Sequence, residues 1–153
     1  MIVGIGVDIQ EVQKIAQQLN RETFVRRVFT NSEIEYCRSH SRPDESFTGK
    51  FAAKEAFMKA IKAGIRQGLC FKDIEVLNQA SGSPEINLSN LPKGLLTKMQ
   101  ADQIHLSISH SGGVAVAMVI LEISDQRPAS HLKYQFFTRF CDMCQRNFLK
   151  KRC

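Results

Sequence analysis

The stretch Gly4-Ile5-Gly6-Val7-Asp8-Ile9 narrows the possible folds more than any other part of the chain. Val3, Ile5, Val7 and Ile9 alternate with Gly4, Gly6 and Asp8, so the segment reads as a β-strand with one apolar face. The opposite face is bare except for one carboxylate, which leaves room for another backbone or a ligand to come close.

A second carboxylate stands in an equally distinctive setting, Phe51-Ala52-Ala53-Lys54-Glu55-Ala56-Phe57-Met58-Lys59-Ala60. Ala53, Ala56, Phe57, Ala60 and Ile61 form the core stripe of a helix expected from about Gly49 to Ala63, ending near Gly64. On that helix Glu55, Lys59 and Lys62 follow at i, i+4 and i+7 and share a face, and Phe51 and Met58 flank Glu55. Should folding bring Asp8 to Glu55, two hard oxygen donors beside a lysine would suit a divalent cation that holds a phosphate ester.

Other helices are expected over Glu11–Leu19, with Val12, Ile15, Ala16 and Leu19 on one stripe, and from about Thr30, where Thr30-Asn31-Ser32-Glu33 supplies caps. Residues 41–48, with Pro43, read as a loop. Strands are expected over Phe71–Leu77 and Glu85–Leu88, joined by the turn Ala80-Ser81-Gly82-Ser83-Pro84. A further pair follows: Ile104, Leu106 and Ile108 alternate with polar residues, then His110-Ser111-Gly112-Gly113 turns into Val114–Leu121. That last run is apolar on both faces, which a small domain has little room to bury, and it points to oligomerisation through the sheet.

With 153 residues the chain has material for one domain with a real core. No apolar run approaches the ~20 residues that span a bilayer, and Asp8 interrupts what a secretory leader would need, so a cytoplasmic protein is expected. The net charge of +6 is unevenly placed: residues 1–124 hold 14 basic and 13 acidic side chains, residues 125–153 hold 7 and 2. The basic character is thus a property of a C-terminal extension that begins after Ser124, at Asp125-Gln126-Arg127-Pro128. Phe136, Phe137, Phe140, Phe148 and Leu149 give that extension a weak helical stripe at best, and disorder is the other reading. Cys141 and Cys144 form a CxxC without the second pair that a zinc site wants, and the odd count of five cysteines favours free thiols.

Each motif has a plainer reading. Asp8 could cap the next helix, and Glu55 with Lys59 could be a surface ion pair worth about 0.3–0.5 kcal/mol. Ser107, Ser109 and Ser111 lie near His105 and His110, yet no Gly-x-Ser-x-Gly elbow surrounds them. Gly4-x-Gly6 lacks the third glycine of a dinucleotide fingerprint.

Taken in order, Gly-Ile-Gly-Val-Asp-Ile, Phe-Ala-Ala-Lys-Glu-Ala-Phe-Met-Lys-Ala and Ser-Ile-Ser-His-Ser give the chain a specific look. It resembles the holo-acyl-carrier-protein synthase family, the small bacterial type of 4′-phosphopantetheinyl transferase, over roughly residues 1–124. The resemblance implies an α+β fold, an antiparallel sheet packed against a long helix, and a trimer with active sites between subunits. It also implies transfer of 4′-phosphopantetheine from coenzyme A to a serine of acyl carrier protein for fatty acid biosynthesis, with adenosine 3′,5′-bisphosphate released.

By the matching motifs, the resemblance makes Asp8 and Glu55 magnesium ligands and places Lys59 on the coenzyme A phosphates. Lys62, His110 and Gly82 would join the coenzyme A site, His110 across a subunit boundary. The general base is left open between Glu55 and a water on the ion. Acyl carrier protein is acidic, so its docking face would include Lys14, Arg21, Arg26 and Arg27, with Phe24 as an apolar anchor. Two departures stand out: Ser83 occupies a position that is often lysine in relatives, and residues 125–153 resemble nothing in the family. Rival readings are a metal-dependent phosphohydrolase acting on coenzyme A or a nucleotide, and a basic adaptor using residues 125–153 on nucleic acid or anionic membrane.

Overall fold

A computed structural model describes residues 1–62, 64, 68–89 and 100–124. The elements run β1 (Ile2–Glu11), α1 (Val12–Leu19), α2 (Glu22–Val28), α3 (Asn31–Arg38), α4 (Pro43–Ala60), a 3-10 turn (Phe71–Asp73), β2 (Ile74–Asn78), β3 (Pro84–Leu88), β4 (Gln103–Ser111) and β5 (Val114–Glu122). Three strands form one antiparallel sheet in the order β1-β5-β4, and β2 and β3 form a hairpin. The architecture is α+β, and the long helix α4 lies on one face of the larger sheet.

The bare face of β1 is the one turned inward. Gly4, Gly6 and Asp8 are buried, whereas Ile5, Val7 and Ile9 are 59%, 44% and 62% exposed. A Cβ on Gly6 would stand 1.9 Å from the carbonyl oxygen of Ala56, and one on Gly4 2.5 Å from that of Ala60. Glycine is therefore required at both positions by the closeness of the α4 backbone. Ala52, Ala53, Ala56, Phe57 and Ala60 of α4 meet Ala117, Val119 and Leu121 of β5, with Ile74 and Val76 of β2 closing the core. A smaller cluster of Val25, Val28, Phe29, Cys37 and Phe47 joins α2 and α3 to the start of α4.

Several local expectations are corrected. Residues 43–48 are helical: Pro43 occupies the first turn of α4, where its fixed φ fits and its missing N–H has no partner to lose. At the other end α4 stops at Ala60, and Lys62 has φ +52, so Lys62 leaves the helical face that Glu55 and Lys59 share. Phe71–Asp73 is a 3-10 turn, and the strand begins only at Ile74. Helix α2 has no separate signal among the apolar spacings. By contrast, Thr30 and Glu33 close a reciprocal capping box on α3. The helical stripe and CxxC of the extension at 125–153 lie outside the described residues.

Beneath this frame runs a buried ionic link. Lys54 and Glu33, both fully buried, pair at 2.7 Å. The Lys54 ammonium also donates to the carbonyls of Val28 (2.8 Å) and Phe71 (3.0 Å). The Glu33 carboxylate accepts from the backbone amides of Thr30 and Val76 as well.

Candidate active site

Asp8 stands on β1 opposite Ala117 of β5, on the face that α4 covers, and is 7% exposed. Its Oδ1 accepts from the Lys59 ammonium at 2.7 Å and its Oδ2 from Gln10 Nε2 at 2.7 Å. Lys59 also donates to the Val7 carbonyl at 3.0 Å. The carboxylate partner of Lys59 is thus Asp8, not Glu55 as in a simple i, i+4 helical pair. Nor does Asp8 cap α1, whose N-cap is Glu11.

Glu55, one turn before Lys59, is half-buried and close enough to Asp8 to feel its charge. Burial first, and then the Asp8 carboxylate, push the Glu55 pKa above the usual glutamate range, with Lys59 pulling it partly back. Two carboxylates and one ammonium leave this spot short of positive charge. A hard divalent cation fits the deficit: magnesium commonly takes one or two protein carboxylates and completes its shell with phosphate and water oxygens. Among the described residues no group of three or more His, Cys, Asp or Glu gathers as a complete metal cage. The donor set is therefore suited to an ion that a substrate helps to hold.

His110 and Gly82 are brought together elsewhere. With Tyr36, Gly49, Lys50 and Pro84, among others, they line a cavity of about 210 Å³. Gly82, with φ +87, turns the β2–β3 loop, and its N–H donates to the Gln79 carbonyl at 2.8 Å. His110 Nε2 lies 2.9 Å from the Glu45 carbonyl in the first turn of α4. Lys50 reaches into the same neighbourhood, bonded to the Val76 carbonyl and Asn78 Oδ1, with its ammonium 4.5 Å from the centre of the Tyr36 ring. Burial holds the Lys50 pKa below the ordinary lysine value. Nothing in the sequence singles out Lys50 or Tyr36; the packing of α3 and β4 against the first half of α4 makes them neighbours of His110.

The two groups occupy different parts of one chain. Asp8 lies on β1 and His110 on β4, the outer strands of the sheet, with β5 between them. Lys62 is exposed in the turn after α4. Of the basic residues on the first helices, Lys14 pairs with Glu11 (2.6 Å) and Arg26 with Glu22 (2.9 Å), Arg21 reaches Gln18 at 3.4 Å, and Arg27 is exposed. Phe24 is partly buried, packed against Phe29 and Phe51.

A family model described as the 4'-phosphopantetheinyl transferase superfamily matches residues 4–119. The holo-[acyl-carrier-protein] synthase of Geobacter sp. (strain M21) is 45% identical over 125 residues, which cover 80% of this chain and 99% of that protein. That of Trichlorobacter lovleyi is 41% identical over 124 residues, covering 80% and 98%. Among solved structures, the Bacillus anthracis holo-(acyl-carrier-protein) synthase in complex with CoA (3',5'-ADP) is 41% identical, with a TM-score of 0.67, and covers 81% of this chain and 99% of its own. The Neisseria meningitidis enzyme aligns with a TM-score of 0.72 at 30% identity, covering 80% and 100%. With the motifs, the fold and these relatives in agreement, the chain belongs to the 4'-phosphopantetheinyl transferase superfamily and, within it, to the holo-[acyl-carrier-protein] synthases.

Proposed function

We infer that the chain transfers the 4′-phosphopantetheine arm of coenzyme A to a serine hydroxyl of acyl carrier protein. The serine oxygen bonds to the phosphorus that bears pantetheine, the pyrophosphate P–O bond breaks, and adenosine 3′,5′-bisphosphate leaves. The observation that carries the site assignment is the meeting of Asp8 and Glu55 beside Lys59, in a chain of this family.

Asp8 and Glu55 are the residues that would hold magnesium, which when bound supplies Lewis-acid neutralisation of charge gathering on the pyrophosphate. Lys59, already within 2.7 Å of Asp8 and half exposed, is placed to present its ammonium to a phosphate as a point charge. We assign the serine proton to an oxygen of Glu55 that the ion would leave free.

His110, Gly82 and Lys50 would receive another part of coenzyme A, with Lys62 near its phosphates. We assign them to a neighbouring subunit's half of the site. Support comes from the outer face of the sheet, where Ile5, Val7, Ile9 and Met118 are each more than 40% exposed, with Val116 and Ile120 of β5 opposite Ile9 and Ile5. A patch of this kind marks an interface, and covering it in a trimer would place one chain's β1 residues near another's β4. Ile5→Glu puts a charge into that face and should reduce the particle mass to that of a monomer in sedimentation, with transfer lost. A trimer unaffected by this change would remove the assignment.

Lys14, Arg21, Arg26 and Arg27 form the proposed basic docking face for the acidic carrier, with Phe24 at its apolar edge. We assign residues 1–124 as the transferase domain and 125–153 as an accessory basic extension. Among the described residues no helix is long and apolar enough to cross a membrane; a cytoplasmic setting is our reading. The direct test incubates the chain with coenzyme A, magnesium and apo-acyl carrier protein. A phosphopantetheine-sized mass gain on the carrier serine is expected. Release of pantetheine phosphate into water, with no carrier modified, would instead favour a phosphohydrolase.

A further inference from the structure

We propose that the buried Lys54–Glu33 pair is a positioning device for the reaction: it sets the rotation of α4 and so the aim of Glu55 at Asp8. The proposal rests on the reading of Glu55 as a working residue of the transfer site.

Lys54 immediately precedes Glu55, so its side chain leaves the helix about 100° around the axis. Its ammonium makes three bonds, to Glu33 Oε2 (2.7 Å), the Val28 carbonyl (2.8 Å) and the Phe71 carbonyl (3.0 Å). All three of its protons are thereby used, and the acceptors come from α3, the end of α2 and the 3-10 turn. The Glu33 carboxylate is itself held, by the Val76 amide at 2.9 Å from β2 and the Thr30 amide at 2.8 Å. One point on α4 is therefore tied to four other segments.

Lys50 also ties α4 to β2, and on the sheet side the half-exposed Lys59, itself part of the site, donates to Asp8 and the Val7 carbonyl. There its backbone rests on Gly4 and Gly6, a contact of main chain on bare strand that limits distance more than rotation. Side-chain tips lie about 5–6 Å from a helix axis, so a turn of about 20° would carry the Glu55 carboxylate about 2 Å. Catalytic groups need placement within about 0.5 Å, and an error of about 1 Å can cost about 100-fold in rate. Stability alone is a poor reason for the pair, because apolar residues of similar volume often serve as well or better than buried ions. Geometric definition is what three directed bonds add.

The test is the double variant Lys54→Met/Glu33→Gln in the full chain. It removes both charges, while the amide side chain introduced by Glu33→Gln keeps an acceptor for a backbone N–H. Three quantities are measured: coenzyme A stoichiometry and Kd by calorimetry in chelator, kcat for carrier modification, and kcat of Glu55→Gln alongside. We expect full stoichiometry, a Kd within about twofold of the parent, and kcat lowered at least about 10-fold. A purely structural pair would lower the fraction of binding-competent chains and leave kcat per competent site unchanged; that result overturns the proposal. Full activity in Glu55→Gln would overturn the reading of Glu55 and this inference with it. If the double variant does not fold, Glu33→Gln alone decides by the same criteria, with kcat per competent site expected to fall about threefold or more.

Discussion

Glu55→Gln and Asp8→Asn should each lower transfer to acyl carrier protein by about 100- to 1000-fold while the fold persists; loss of one preorganised electrostatic group has this order of effect. The accompanying change in stability has a sign that distinguishes a site residue from a structural one. The Glu55 pKa is raised in the folded chain by burial and by the Asp8 charge. Its contribution to stability is therefore fully present below the ordinary glutamate pKa and is lost as pH rises through the raised value. At neutral pH in chelator, ionised Glu55 works against folding. Glu55→Gln should then raise the melting temperature at about pH 7, with the gain shrinking as the pH falls through the raised Glu55 value and gone by about pH 4. Both measurements use the same protein: carrier modification by mass spectrometry and thermal unfolding across pH. Near-normal transfer in either variant would end the assignment of the two carboxylates, and a melting temperature lowered at neutral pH in Glu55→Gln would refute the electrostatic account.

Gly6→Ala carries the other large effect, through one methyl group. The added Cβ would stand 1.9 Å from the Ala56 carbonyl oxygen and 2.7 Å from the Ala60 amide nitrogen. Both obstacles are backbone, so no side chain can swing aside. Restoring an ordinary contact of 3.4 Å or more requires α4 to retreat by roughly 1.5 Å, since core overpacking is relieved only by such shifts. Because Glu55 and Lys59 ride on α4 and Asp8 on β1, the retreat opens the site directly. Transfer should fall at least about 100-fold, with stability lowered by about 3 kcal/mol, the upper end for overpacking. Chemical denaturation read beside carrier modification checks both. A variant of unchanged stability and rate would show that β1 and α4 are not in contact at this point.

The Gly4-Gly6 pattern illustrates how far the sequence can be read. Bare positions on a strand announce that something approaches closely, and the approach of α4 bears that out. The same pattern is silent on direction: ordinarily the apolar side of a strand packs inward, yet here Ile5, Val7 and Ile9 face out. Their exposure follows from the demand of α4 for a flat surface, a long-range fact. Thr30 and Glu33 are legible as a cap because capping is local. The second role of Glu33, as the counter-ion of Lys54, is not, since 21 residues separate the pair. Pro43 misleads by the opposite route: a residue that breaks helices internally opens one without cost when it stands in the first turn.

Local residue order is enough to specify the motifs, the strand and helix that carry Asp8 and Glu55, and the family. It takes the packed chain to show that Lys59 pairs with Asp8, that Lys62 turns away from α4, and that His110 belongs with Lys50 and Tyr36. Those outcomes depend on how close two backbones can come and on where a helix ends against its neighbours. Neither is encoded at any one stretch of the chain.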